Sequence, residues 1–235
     1  NISPKVIPCS GPKISETAKL LQNAYRLLNI SFINEIKIAL EKMEIDIWEV
    51  IEKASSKPFG FTPFYPSPGA GGSCIPITPL FLSWKAKEEN HPLSLIELAA
   101  KLNDQMPEYV IKKVEKGLEK KFKKKIQNSD ILVLGIGFKK DTEDTRESPS
   151  IKIINLLQKK GANVFFHDPF VQEIENSSSQ FIDPFSDDLF SKMDCLIIGT
   201  DHSCYPWDKI INQSKLIIDT RGVAKDIKQH NIIQA

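Results

Sequence analysis

The sequence predicts a helical first half followed by a doubly wound α/β domain built on a parallel sheet, and three observations carry that prediction. From Glu16 to about Gly117, apolar residues recur in several segments at the three- and four-residue spacing of helices. From Asp130 onward the pattern changes to short apolar runs without polar alternation, ILVLGIGF, VFFHDP, CLIIGT and LIIDT, separated by amphipathic segments such as SIKIINLLQKKG. Such strands are covered on both faces by helices. The third observation is Lys57 to Pro76, rich in proline, glycine and aromatic residues and without periodicity, the kind of long irregular segment that usually serves function.

The elements follow in order. Ser15 is the expected N-cap of a long, nearly all-round apolar helix from Glu16 to about Met43, and Asp46 caps a second helix over IWEVIEKASS. Thr78 as N-cap with Pro79 at the first position predicts a third helix, and a fourth runs from Leu93 to about Gly117, with Pro107 placed to kink it. The basic run from Lys120 to Lys125 suits a helix C-terminus and a solvated surface.

Composition narrows the class. The chain has 235 residues, 41% apolar and 26% charged, which excludes disordered, collagen-like and disulfide-scaffold proteins. Lys+Arg 31 against Asp+Glu 30 leaves a formal charge of +1, so no overall field draws nucleic acid or an anionic membrane. No apolar run reaches the roughly 18 residues of a membrane span, and the start lacks a signal-peptide centre, so a soluble, cytoplasmic protein is expected. Cys9, Cys74, Cys195 and Cys204 show no metal-ligand spacing and suggest neither a metal site nor a disulfide framework. The chain begins with Asn rather than Met, which suggests that an N-terminal portion is missing.

Gly135 and Gly137 after the first strand, with Asp168 ending the second, stand where a dinucleotide-binding domain places its glycines and ribose-binding acid. The long polar loop KKDTEDTRESP then delays the next helix to Ser148 and Pro149, which argues against NAD in this crevice. Lys139, Lys140 and Arg146 would suit phosphates at this carboxyl edge of the sheet.

The segment FYPSPGAGGSCIPITP carries the chemistry. Gly69, Gly71 and Gly72 allow close backbone approach, and Cys74 follows them just before a helix start, where a thiolate would be stabilised. Spacing alone leaves an inert cysteine and a nucleophile equally open.

GAGGSCIP around Cys74, AKLLQNAYRLLNISFINE at Ala18 to Glu35, KPFGFTPFYPSPG at Lys57 to Gly69, GFKKDTEDTRESPS at Gly137 to Ser150 and IIDTRGV at Ile217 to Val223 together resemble the nucleotide-sugar 6-dehydrogenase family. These are the UDP-glucose and GDP-mannose dehydrogenases, and KPFGF with FYPxPG is most similar to the branch acting on UDP-N-acetylglucosamine or UDP-N-acetylmannosamine for surface polysaccharides. The resemblance implies a central helical dimerisation and catalytic-cysteine domain over residues 1–125. It implies a C-terminal, Rossmann-like UDP-sugar-binding domain over 126–235, with the NAD-binding domain absent from this chain.

The implied reaction oxidises the sugar C6 alcohol to the carboxylate with NAD, Cys74 forming a thiohemiacetal and then a thioester that water hydrolyses. Lys19 and Asn23 match the oxyanion-stabilising pair. Lys139, Arg221, Gly71, Gly72, Phe64 and Tyr65 match substrate-binding positions, and Arg146 an arginine reaching NAD in a partner subunit. A homodimer through the first-half helices is expected, because the long apolar helix from Glu16 to Met43 cannot be covered by so few companions within one chain. Arg146 and Arg221 also admit simple pairing with Asp144 and Asp219. Asn34 and Glu35 are expected to pack the first helix against the glycine loop. Thr78 stands where the family has an Asp that assists proton transfer, Ser73 where this branch commonly has His, and Ser67 where it has Gly. The alternative is a non-catalytic UDP-sugar-binding and dimerisation module or degenerate paralogue.

Overall fold

A computed structural model describes residues 6–182, 188–227 and 229–235. The first half forms α1 (Pro12–Lys42), α2 (Ile47–Ser55), α3 (Thr78–Glu88) and α4 (Ser94–Phe122). Helix α1 begins earlier than Ser15, because Pro12 presets the first helical turn; the Ser15 hydroxyl instead donates to the Pro12 carbonyl at 2.9 Å. Asp46 caps α2 as expected, accepting from the Trp48 N–H at 2.8 Å. Helix α3 starts at Thr78 itself, with Ile77 in the capping position and no side-chain cap. Helix α4 continues through Pro107 and ends where Lys123 turns left-handed.

Apolar side chains do not account for the buried side of α1. Asn23, Ser31, Asn34 and Lys37 are buried on it with Ala24, Leu27 and Ile33, while Leu21 and Phe32 are exposed. The helix is less uniformly apolar than its spacing predicts: within one chain, α1 packs a partly polar face on α3 and α4 and, as expected, leaves apolar residues uncovered.

The second half contains β1 (Asp130–Leu134), α5 (Pro149–Lys159), β2 (Asn163–His167), β3 (Gln180–Phe181), α6 (Leu189–Lys192), β4 (Cys195–Ile198), α7 (Trp207–Gln213), β5 (Ile217–Asp219) and β6 (Ile232–Gln234). Among the described residues these strands form one sheet in the order β3-β2-β1-β4-β5-β6, with every pairing parallel. Chain reversal on either side of β1 makes the sheet doubly wound. Alternate residues of β1 feed opposite cores: Ile131 and Val133 join α4 and α5 on one face, Leu132 and Leu134 join α6 and α7 on the other. Both faces are thus apolar, which is why β1 reads as a continuous run. Helix α4 belongs to both halves, its later turns supplying Val110, Val114 and Leu118 to the sheet core. No helix among the described residues is long and apolar enough to cross a membrane.

Candidate active site

The glycine-rich segment lies between the helical unit and the carboxyl edge of the sheet, and polar side chains from both sides hold it. Asn34 of α1 accepts from the Ser67 N–H at 2.9 Å. Asn103 of α4 accepts from the Ala70 N–H at 2.6 Å and donates to the Ala70 carbonyl at 3.3 Å. On the sheet side, the Gly72 N–H donates to the Arg146 carbonyl at 2.7 Å. Phe138 lies against the glycines so closely that a Cβ on Gly71 would sit 2.5 Å from the Phe138 Cβ, and one on Gly72 2.8 Å from its ring. Gly72 has φ +76°, so both glycines are required here by docking between the two units.

The edge of the sheet is organised by Asp168, which is buried. It accepts from the N–H groups of Ile136 at 2.6 Å and Gly137 at 2.9 Å, and faces His202 Nε2 at 2.9 Å. Burial alone would raise its carboxyl; hydrogen bonds from His202 and from the Gly137, Phe170 and Ile136 amides more than offset this and hold it below the usual carboxylate range. His202 Nδ1 accepts from the Asp141 N–H at 3.0 Å, so the ring's other nitrogen carries the proton donated to Asp168. This arrangement answers the GxG pattern. The amides that would meet a dinucleotide phosphate are already bonded to Asp168, and the residues of this crevice do not fit NAD.

A cleft of about 490 Å³ opens beside the glycine segment. Phe64, Tyr65, Gly71 and Ile75 line it from the helical unit, and Phe138, Lys139, Asp201 and Arg221 from the α/β unit. The structure therefore brings Phe64, Tyr65, Gly71, Lys139 and Arg221 to one cavity, while Gly72 does not line it and packs against Phe138. Tyr65 stacks on Trp48 at 6.0 Å between centroids, and Phe64 meets Tyr25 edge-on at 5.8 Å. Arg221 follows β5; its Nε donates to the Gly199 carbonyl at 2.7 Å rather than to Asp219. Burial pulls its guanidinium below the usual range, against the opposing pull of Asp201 and Asp219, yet arginine stays protonated at any physiological pH. Lys139 is exposed at the rim, and Lys140 turns to Asp201 at 3.6 Å.

Cys74 is exposed on the turn leading into α3. The Thr78 hydroxyl donates to the Cys74 carbonyl at 2.6 Å and accepts from Asn23 Nδ2 at 2.8 Å, so Asn23 is tied to the Cys74 turn through Thr78. Lys19 is exposed one turn before Asn23 on α1 and makes no hydrogen bond or ion pair among the described residues. Arg146 is engaged locally: its Nη2 donates to Asp144 Oδ2 at 2.5 Å, and Cys74 contributes a smaller upward pull on its guanidinium than Asp144 does.

Arg26, Trp48 and Asp201 also line the cleft and were not singled out in the sequence. Arg26 follows Lys19 by seven residues and Asn23 by three, a spacing that places all three on one helix face and could have revealed it. Asp201 follows β4 at the carboxyl edge of the sheet, where ligands bind in such folds. No local signal marks Trp48.

The chain thus pairs a cysteine-bearing helical unit with a doubly wound α/β unit. The UDP-glucose/GDP-mannose dehydrogenase family central domain matches residues 13–105, and the UDP binding domain of the same family matches residues 132–226. The chain belongs to that family. It is 33% identical over 226 residues to UDP-N-acetyl-D-mannosamine dehydrogenase of Methanococcus maripaludis, covering 93% of this chain and 49% of that protein. Protein CapL of Staphylococcus aureus is 31% identical over 221 residues, covering 91% of this chain and 51% of CapL. The solved UDP-glucose dehydrogenase of Pyrobaculum islandicum superposes with a TM-score of 0.81 at 26% identity, covering 95% of this chain and 51% of that one. The chain spans about half the length of these relatives.

Proposed function

We propose that the chain is the central and C-terminal part of an NAD-dependent UDP-sugar 6-dehydrogenase acting on UDP-N-acetylglucosamine or UDP-N-acetylmannosamine for surface polysaccharide synthesis. The observation that carries this reading is the single cleft lined by Lys139 and Arg221 from one unit and by Phe64, Tyr65 and Gly71 from the other, beside the Cys74 turn. Arg221 and Lys139 supply fixed and mobile cations for a diphosphate. The sugar end would then lie toward Cys74, Lys19 and Asn23. The Cys74 thiolate would add to a C6 aldehyde, and the Asn23 amide and Lys19 ammonium would face the oxyanion formed. NAD would be the hydride acceptor of the oxidation, held outside this crevice.

A homodimer fits the exposed apolar residues Leu21 and Phe32 of α1, Phe81 and Trp84 of α3 and Leu95 and Leu98 of α4. The second reading, a non-catalytic UDP-sugar-binding and dimerisation module, is favoured by one observation. One Asn23 amide hydrogen is committed to Thr78, which has no carboxylate to assist proton transfer.

Calorimetry with UDP-N-acetylglucosamine and with NAD tests the assignment. Heat from the UDP-sugar and none from NAD is expected. NAD binding without UDP-sugar binding would reverse the roles of the two units.

A further inference from the structure

At the joint between the helical and α/β units lies a buried cluster that the proposed chemistry does not use. Lys37 of α1 is 3% exposed. Its ammonium donates to the Tyr109 hydroxyl of α4 at 2.7 Å and reaches the Gln234 carbonyl of β6 at 3.4 Å. Tyr109 and Lys113, both from α4, donate to Glu41, which also lies 3.9 Å from Lys37. Lys37 further sits over the Tyr109 ring, 4.3 Å from its centroid.

The contacts continue to the cleft. The Gln234 side-chain amide donates to Asp219 Oδ2 at 3.1 Å. Asp219, fully buried at the end of β5, accepts from the Arg221 and Gly222 N–H groups at 2.9 Å each and from Ala224 at 2.8 Å. That turn presents Arg221 to the cleft.

We infer that Lys37 is a positioning residue for the nucleotide site: by holding β6 through Gln234 it fixes the Asp219 turn, and so ties the placement of Arg221 to the packing of α1 on α4. The inference rests on the cleft being the UDP-sugar site. Strand β6 is three residues long and at the sheet's edge, where β5 pairs it on one side, so a bond from the helical unit adds to what holds it. Among the described residues, Lys37 is the side chain of the helical unit that bonds to its backbone.

The groups facing Lys37 are Glu41 on its own helix, Tyr109 and Lys113 on α4, and Asp219 on β5. Burial, and next the like charge of Lys113, bring its ammonium down to about 7, with Glu41 and Asp219 opposing. A diphosphate against Arg221 adds negative charge on the Asp219 side and favours protonated Lys37. By linkage, binding then tightens as Lys37 takes up its proton and weakens as pH rises through about 7.

The test uses the whole chain with Lys37→Met and Lys37→Arg, and Tyr109→Phe as a second variant should the methionine not fold. Amide hydrogen exchange at Arg221, Gly222 and Ala224 is read without ligand. UDP-N-acetylglucosamine affinity is read from about pH 6 to about pH 8.5, a range in which its diphosphate diester does not titrate. Lys37→Met should speed exchange at those three amides selectively, weaken binding by about tenfold, or 1.4 kcal/mol, and flatten the pH profile. Lys37→Arg should keep exchange near wild type and also flatten the profile, because arginine stays charged.

Unchanged exchange at the three amides, or faster exchange there with unchanged affinity, would overturn the inference. A uniform rise across the whole sheet would reduce Lys37 to a general support of the fold and overturn it equally. No binding by wild type would sink the UDP-sugar reading instead, while the exchange data would still decide whether Lys37 holds the turn.

Discussion

In the α/β unit, the side chains that fix the site-bearing loops are carboxylates: Asp168 and Asp219 each stand at the end of a strand and gather several backbone N–H groups. In the helical unit the same task falls to neutral amides, Asn34 and Asn103, which reach sideways from α1 and α4 to the glycine segment. Hydrogen bonds to a charged acceptor are roughly twice as strong as neutral ones. Asn34 also leaves its buried Nδ2 without a partner among the described residues. The sheet side of the cleft is therefore held by the stiffer anchors, and the Cys74 side by weaker ones. A cleft with one fixed wall and one yielding wall would, on the proposed function, grip a constant nucleotide while the loop carrying Cys74 adjusts to the sugar.

The two walls differ in stiffness only if their anchors differ in strength. Asp168→Ala removes a buried carboxylate from His202 and several amides at once and should cost about 3–5 kcal/mol of unfolding free energy in denaturant titration. Asn103→Ala leaves only the Ala70 backbone unsatisfied and should cost about 1–3 kcal/mol. Equal costs would remove the distinction between the two walls. A smaller effect is expected at the joint between the units. Lys37 titrates at about 7 in the folded chain against the usual 10.5, so between those values the unfolded chain binds more protons and stability must rise with pH. Unfolding of wild type and Lys37→Met followed from pH 7 to 9.5 should show the wild type gaining on the variant by at most about 1.4 kcal/mol per pH unit. Below pH 7 this contribution should be flat. A gap that stays constant above pH 7 would mean that Lys37 is charged throughout.

Legibility in the sequence follows the same division. The strands β1, β2, β4 and β5 announce themselves because burial on both faces demands unbroken apolar runs. Strands β3 and β6 do not, being two and three residues long and edge-placed or partly exposed. The cleft residues Lys139, Arg221, Phe64, Tyr65 and Gly71 were legible through motif resemblance, but the reason for Gly71 and Gly72 was not. It lies in Phe138, distant in sequence and packed against them. Asn103, Lys37 and Asp219 are polar residues at buried positions, and no periodicity separates such a residue from a solvated one. Thr78 was legible as a departure from the family pattern. Its hydrogen bond to Asn23 needed the fold, since 55 residues separate them.

We propose that the Cys74 turn and the Lys139–Arg221 cleft form one site. Alkylation of Cys74 by iodoacetamide, followed by peptide mass spectrometry with and without UDP-N-acetylglucosamine, tests it directly, with the exposed Cys9 as an internal reference. Ligand at ten times its Kd leaves about a tenth of the protein free, so Cys74 labelling should slow by about tenfold while Cys9 labelling stays unchanged. Bound UDP-sugar, shown by calorimetry on the same sample, with Cys74 labelled at its ligand-free rate would contradict the claim and separate the nucleotide cleft from the cysteine.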